Sequence, residues 1–145
     1  MSFMQGSSIN GIAARIALLP ALIIIVCAAC ATHSMRGDFE KSINGYGELV
    51  RQHKFDAASV FATGAMAEEF ASRAKNAKNV KMVDYRIVGI RYNEEKGEAD
   101  VQAEIDYYTL SAFRLKTLVD IQKWVYMDEG GKKQWKLTTT LPEFK

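Results

Sequence analysis

Glu98-Ala-Asp-Val-Gln-Ala-Glu-Ile-Asp-Tyr-Tyr-Thr-Leu110 alternates apolar and polar side chains almost residue by residue. A period of two places Ala99, Val101, Ala103, Ile105 and Tyr107 on one face and Asp100, Gln102, Glu104 and Asp106 on the other. This is a β-strand with one face on a core and the other solvated, or lining something wet. On its N-terminal side Asn93-Glu94-Glu95-Lys96-Gly97 reads as a hairpin loop ending in Gly. Before that loop, Val80 to Tyr92 is rich in strand formers: Val83, Tyr85 and Ile87 alternate, then Val88, Ile90 and Tyr92 take the opposite phase. The slip at Ile87-Val88-Gly89 predicts a β-bulge. On the C-terminal side Ser111-Ala112 turns the chain into a long strand, Phe113 to Met127, with Phe113, Leu115, Val119, Ile121 and Val125 as its apolar phase. Asp128-Glu129-Gly130-Gly131 is a strong hairpin signal. Gln134 to Leu141 then brings Trp135, Leu137, Thr139 and Leu141 onto one face before Pro142 ends it. The second half is therefore a four-stranded antiparallel meander.

The preceding segment changes period. From Asp38 to His53, Phe39, Ile43, Tyr46 and Val50 recur at helical spacing, with Asp38 placed to cap the start. A second helix is expected from Asp56 to Gly64, carrying Ala57, Val60 and Phe61. A third is expected from about Ala65 to Ala77, with Met66, Phe70, Ala74 and Ala77 on its apolar face. Three helices followed by a meander predict an α+β fold with the helices packed on one face of a curved sheet.

The amino-terminal segment has a separate logic. Arg15 is the only charge in residues 1–29 and stands directly before the apolar run Ile16 to Val26. That is the order of a secretory signal, basic residue then apolar core then small residues. Cys27-Ala28-Ala29-Cys30 closes it and holds both cysteines of the chain, so the folded part contains none with which to build a disulfide framework. Ala28-Ala29-Cys30 after an apolar core resembles the lipobox of bacterial lipoprotein signals, with Cys27 where that family usually has an aliphatic residue. The resemblance implies a signal peptide over residues 1–29, lipidation at Cys30, a lipidated tether over 30–37 and a single domain over 38–145. Ala31 rather than Asp after the cysteine is similar to lipoproteins sorted to the outer membrane of Gram-negative bacteria, facing the periplasm. Cleavage after an Ala-x-Ala-like site, giving a soluble secreted protein, and retention of Ile16 to Thr32 as a short anchor remain alternatives.

Composition narrows the rest. The 145 residues are 48% hydrophobic and 25% charged, with formal net charge +2, which excludes a wholly disordered or collagen-like chain. No second run approaches the roughly 20 apolar residues of a membrane span, which excludes a polytopic membrane protein. The largest basic cluster, Lys132-Lys133 with Lys136, is too small for a nucleic-acid footprint. His33 and His53 lack partners at metal-ligand spacing. Gly130-Gly131 lies between strands rather than before a helix, so it is no phosphate loop. Ser111 lacks the flanking glycines of a nucleophile elbow. No cofactor is implied.

The element order, together with the aromatic hairpin Trp124-Val-Tyr126 and Gln134-Trp-Lys-Leu137, resembles the NTF2-like, cystatin-related cone fold over about Asp38 to Leu141. A cystatin-like or other helix-on-sheet domain is the alternative. Members of the resembled superfamily include ketosteroid isomerase and dehydratases as well as non-catalytic binding domains. In the enzymes a buried Asp beside a Tyr donor serves proton abstraction next to a carbonyl. Candidate parts here are Tyr46 on the first helix, Asp84 and Tyr85 in the first strand, and Asp120, which interrupts Leu118, Val119 and Ile121. Ordinary structural roles compete: Tyr46 as a core aromatic with its hydroxyl at the rim, and Asp84, Asp106 and Asp120 as cross-strand partners of Arg86, Arg114, Lys116 or Lys123. No spacing pairs a Tyr with an Asp, so no catalytic role is assigned. Most of the aromatic group Tyr107, Tyr108, Phe113, Trp124, Tyr126 and Trp135 must be core. Tyr46, Tyr85, Tyr107, Asp120 and Trp124 are the residues that could line a pocket. The expected function is a lipid-anchored envelope protein whose domain binds an apolar small ligand or a protein partner without catalysis. An isomerase or dehydratase using an Asp/Tyr pair, and a structural homodimer, are the alternatives.

Overall fold

A long helix laid on a four-stranded antiparallel sheet is the frame of the molecule, an α+β architecture. The structure, a computed structural model, describes residues 35–145. The expectations for the signal peptide, Cys30 and His33 lie outside the described residues. Helix α1 (35–51) buries Phe39, Ile43, Tyr46 and Val50, the four positions that the helical spacing selects. It is already helical at residue 35, so Asp38 lies inside it and is not its cap. Its C-terminal end is closed by His53 in the left-handed region (φ 60°). Lys54 N–H donates to the Leu49 carbonyl and His53 N–H to the Val50 carbonyl, at 2.8 and 2.9 Å. That pairing satisfies carbonyls that α1 would otherwise leave open.

The two later helices are shorter than their spacing suggests. α2 (Phe55–Ala58) is one turn, continued by a 3-10 turn over Ser59–Phe61, and Val60 is 65% exposed. Asp56 falls in the first turn rather than at the cap. α3 (Ala67–Asn76), flanked by 3-10 turns, buries Phe70 and Ala74 as expected. Ala62 explains why the second helix stops. It bridges Leu137 in parallel fashion and Thr63 N–H donates to the Leu137 carbonyl, so this segment goes extended to cover the edge of the last strand.

Strands β1 (Val80–Asn93), β2 (Glu98–Thr109), β3 (Lys116–Glu129) and β4 (Lys132–Leu137) form an open sheet in the order β1-β2-β3-β4. The bulge foreseen at Val88 is present between Ile87 and Gly89. A second register shift lies between Met82 and Asp84. The extra residue ejects Val83, expected on the same face as Tyr85, and turns Tyr85 and Ile87 inward. β2 buries Ala99, Val101, Ala103, Ile105 and Tyr107, as its alternation requires.

β3 reverses its expected phase. Its register sets Trp124 opposite Ala99, Gln122 opposite Val101, Asp120 opposite Ala103 and Leu118 opposite Ile105. Directly opposed residues share a face, so Asp120, Gln122 and Trp124 point into the core. Val119 and Ile121 are 50% and 53% exposed on the outer face. The reason is bulk. Trp124 and Tyr126 share the Asp120 phase and meet Leu137 and Trp135 across β4, and a Trp-Leu and Tyr-Trp layer outweighs Val119, Ile121 and Val125. Small Ala99 and Ala103 leave room across the strand. The tail after β4 keeps Leu141 buried, with Arg73 Nη1 donating to its carbonyl, and Phe144 stacks on Phe55. Residues 38–145 form one compact unit.

Candidate functional site

The middle of α1 reads Asn44-Gly45-Tyr46-Gly47-Glu48, and two glycines inside a helix cost about 1 kcal/mol each relative to Ala. Space explains them. A Cβ on Gly47 would stand 2.3 Å from Tyr85 Cε1, and one on Gly45 would stand 3.1 Å from Phe61 Cζ. The glycines seat two rings on the helix backbone, and Tyr46 between them projects into the core. The Tyr46 ring meets Phe61, Phe70 and Trp124 edge-on, with centroids 6.3, 6.4 and 5.8 Å away. Its hydroxyl is buried and has no hydrogen-bond partner among the described residues. Burial first, then the charges of Asp120 and Tyr85, hold that phenol well above its ordinary titration range.

β3 supplies the polar half of the cluster through its inward phase. Gln122 uses its whole amide: Oε1 accepts from Trp124 Nε1 at 3.1 Å, while Nε2 donates to the Tyr85 hydroxyl at 2.8 Å and to Asp120 Oδ2 at 2.7 Å. Asp120 is 5% exposed. Desolvation pushes its carboxyl up to about 6, against a smaller downward effect of the Gln122 hydrogen bond. Desolvation likewise raises the Tyr85 hydroxyl, which stays protonated at neutral pH. Gln122 links Tyr85, Asp120 and Trp124 in one hydrogen-bonded group, with Trp124 fixing the amide orientation.

Tyr85 is also the link to the surface. A groove of about 400 Å³ between α1 and β1 is lined by Asn44, Gly47, Glu48, Arg51, Tyr85 and Ile87. Arg51 Nε and Nη2 donate to both oxygens of Glu48 at 2.9 and 2.8 Å, and Gln52 Nε2 adds a third hydrogen bond to that carboxylate. The groove therefore offers an aromatic ring and an aliphatic side chain on its floor and a self-paired ionic rim. Asp120 does not line this groove.

Of the residues singled out from sequence, Tyr46, Tyr85, Asp120 and Trp124 come together in this cluster. Tyr107 does not. It lies at the other end of β2, edge-on to Phe144 at 5.1 Å, its hydroxyl bonded to the backbone of Lys145. Asp84 pairs with Arg86 along its own strand, whereas Asp106 takes the cross-strand role foreseen for it. Arg86 Nη1 donates to both, at 3.1 and 2.6 Å, and Glu104 accepts from Arg86 Nη2 at 2.9 Å, all near the solvated face. Asp120 departs from that role, because its partner is Gln122 and not a cation. Tyr46 departs too, its hydroxyl being buried rather than at the rim. Gln122 was not singled out. The signal for it was the Asp120, Gln122, Trp124 spacing of two, which places three hydrogen-bonding groups on the phase of a large aromatic. His53 Nε2 lies 3.1 Å from the Ala77 carbonyl and its ring contacts Phe55, a packing role. Among the described residues no group of His, Cys, Asp and Glu could hold a metal ion, and no helix is long and apolar enough to cross a membrane. No protein-family model matches the chain, and no curated protein matches it.

Proposed function

We propose that this chain is a lipid-anchored envelope protein, acylated at Cys30 after removal of residues 1–29 and held at the outer membrane facing the periplasm. Its NTF2-like domain binds an apolar small ligand without chemical turnover. The observation that carries the binding role is the groove floored by Tyr85 and Ile87, with Asp120 set behind it. A general base must lie within hydrogen-bond reach of the proton it removes, directly or through one water. A ligand in the groove meets the Tyr85 ring, whereas Asp120 does not line the groove. A half-buried apolar floor with polar groups at its rim suits a molecule whose apolar part lies on Tyr85 and Ile87 and whose polar end meets Asn44 or Arg51. Titration of the isotope-labelled protein with benzoate and with octanoate tests this by NMR. Expected are amide shifts centred on Gly47, Tyr85 and Ile87, weakened in Ile87→Glu. Shifts elsewhere, or equal in that variant, would refute the groove.

The second reading is an isomerase or dehydratase, favoured by a carboxyl that titrates near 6 beside two protonated phenols. It requires α1 to separate from β1 so that substrate reaches Asp120 and Tyr46. Deuterium exchange at the α-carbons of a simple cyclic ketone discriminates. An enzyme would accelerate exchange and lose that ability in Asp120→Asn, whereas the binding domain is expected to give the buffer rate in both.

A further inference from the structure

The turn between β2 and β3 is apolar where it is most exposed. Phe113 is 75% exposed, and Leu110 and Leu115 beside it are also exposed. The turn is held firmly. Ala112 and Phe113 N–H both donate to the Thr109 carbonyl, at 3.1 and 3.0 Å, and Leu110 N–H donates to the Asn79 carbonyl at 2.9 Å. Phe113 occupies the left-handed region at φ 49°, a conformation that favours Gly or Asn, and its ring stacks on Tyr108 at 6.1 Å. A bulky apolar residue in that conformation is strained, and its one ring contact leaves it three-quarters exposed.

The charged side chains within the turn are both cations, of which Lys116 is engaged, its Nζ donating to the Lys145 carbonyl at 2.5 Å. From Tyr107 to Val119 the only charged residues are Arg114 and Lys116. Lys81 sits opposite Tyr108 in the register, and Lys78 lies just before β1. Among the described residues Arg114, Lys78 and Lys81 pair with no carboxylate. Asp106, next along β2, is held by Arg86 and Thr117. The apex is a hairpin tip, whereas a small ligand needs a concave site. A layer of anionic headgroups over hydrocarbon complements both parts, the cations at the rim and the apolar apex. We propose that the Leu110–Lys116 turn is a lipid-contact element that inserts Leu110, Phe113 and Leu115 into the interface of an anionic bilayer.

This stands independently of acylation at Cys30. The first buried turn of α1, at Phe39, packs on Tyr92 and Trp135 beside the other two hairpins, so the Leu110–Lys116 turn occupies the opposite end of the sheet.

The full chain carrying Phe113→Trp tests it in vesicles with brominated acyl chains, made of phosphatidylcholine alone or with phosphatidylglycerol. The native Trp124 and Trp135 are buried and supply a constant background. Expected are a blue shift of the new emission and quenching several-fold above the wild-type background in phosphatidylglycerol vesicles, both abolished by adding Arg114→Glu and Lys116→Glu. Emission that stays at the water-exposed position while the chain floats with the vesicles would overturn the proposal. A blue shift already present without lipid would overturn it as well, since a second copy or a protein partner would then cover the tip. Phe113→Gly, relieved of the left-handed strain, is expected to melt no lower than wild type. Undiminished flotation in Cys30→Ala, with the tip signal retained, would count against the anchor alone.

Discussion

Asp120 makes the stability of the domain depend on pH in a direction opposite to most carboxylates. Its carboxyl titrates near 6 in the folded protein and at 3.8 ordinarily, so the folded state holds the proton more tightly. Its favourable contribution is complete below about 4 and is lost as pH rises through about 6, a loss of about 3 kcal/mol for this shift. Asp120→Asn keeps an acceptor for Gln122 and removes the ionisation. Urea unfolding is expected to show the wild type weakening between pH 4 and pH 7.5 relative to the variant; parallel profiles would mean Asp120 is not desolvated. Gly47 gives a second test at this scale. Gly47→Ala gains helix propensity yet forces Tyr85 off the helix, and is expected to cost about 2 kcal/mol net. Gly45→Ala, with a looser contact, should cost less in the same thermal melts.

The strand that reversed its phase marks the boundary of what the amino-acid pattern reveals. β2 was legible because its two faces differ in polarity at every position from Ala99 to Tyr107. The apolar face of α1 was legible because four large residues share it. β3 carries apolar residues on both phases, and the deciding quantity is the size of Trp124 and its cross-strand partners rather than the number of aliphatic residues. The cluster inherits that ambiguity: Tyr46, Tyr85, Asp120 and Trp124 stood out as residue types, while Gln122, which joins three of them, becomes visible only once the phase is known. Trp124→Ala is therefore expected to cost about 3–5 kcal/mol. Val119→Thr and Ile121→Thr should each stay within about 0.5 kcal/mol in the same denaturation measurement. The segment before α3 follows a similar logic. Lys136 Nζ, buried, donates to the Val60 carbonyl at 2.8 Å and pairs with Glu129 at 2.6 Å, while Glu129 accepts from Gly64 N–H. No helical periodicity foretells such a clamp. Lys136→Met is expected to speed amide exchange over Ala62 to Met66, and unchanged protection there would show that the Ala62 bridge suffices.

Taken as a whole molecule, the chain combines two unlike parts. Residues 1–29 hold a long apolar run and a single charge, and the remaining 116 residues carry a net charge of +1. In the domain, the groove over Tyr85 lies between α1 and β1, and the exposed Phe113 tip is at the far end of the sheet from Phe39. On the proposed reading, acylation at Cys30 would hold the domain at the membrane and raise the effective concentration of a membrane-borne ligand. That arrangement depends on acylation. The most direct measurement is metabolic labelling of the full chain with a clickable fatty acid in a Gram-negative host, followed by detection on the purified protein. Label on the wild type and on Cys27→Ala, and none on Cys30→Ala, is the expected result. An unlabelled wild type, or undiminished label in Cys30→Ala, would contradict a lipid-anchored binding domain.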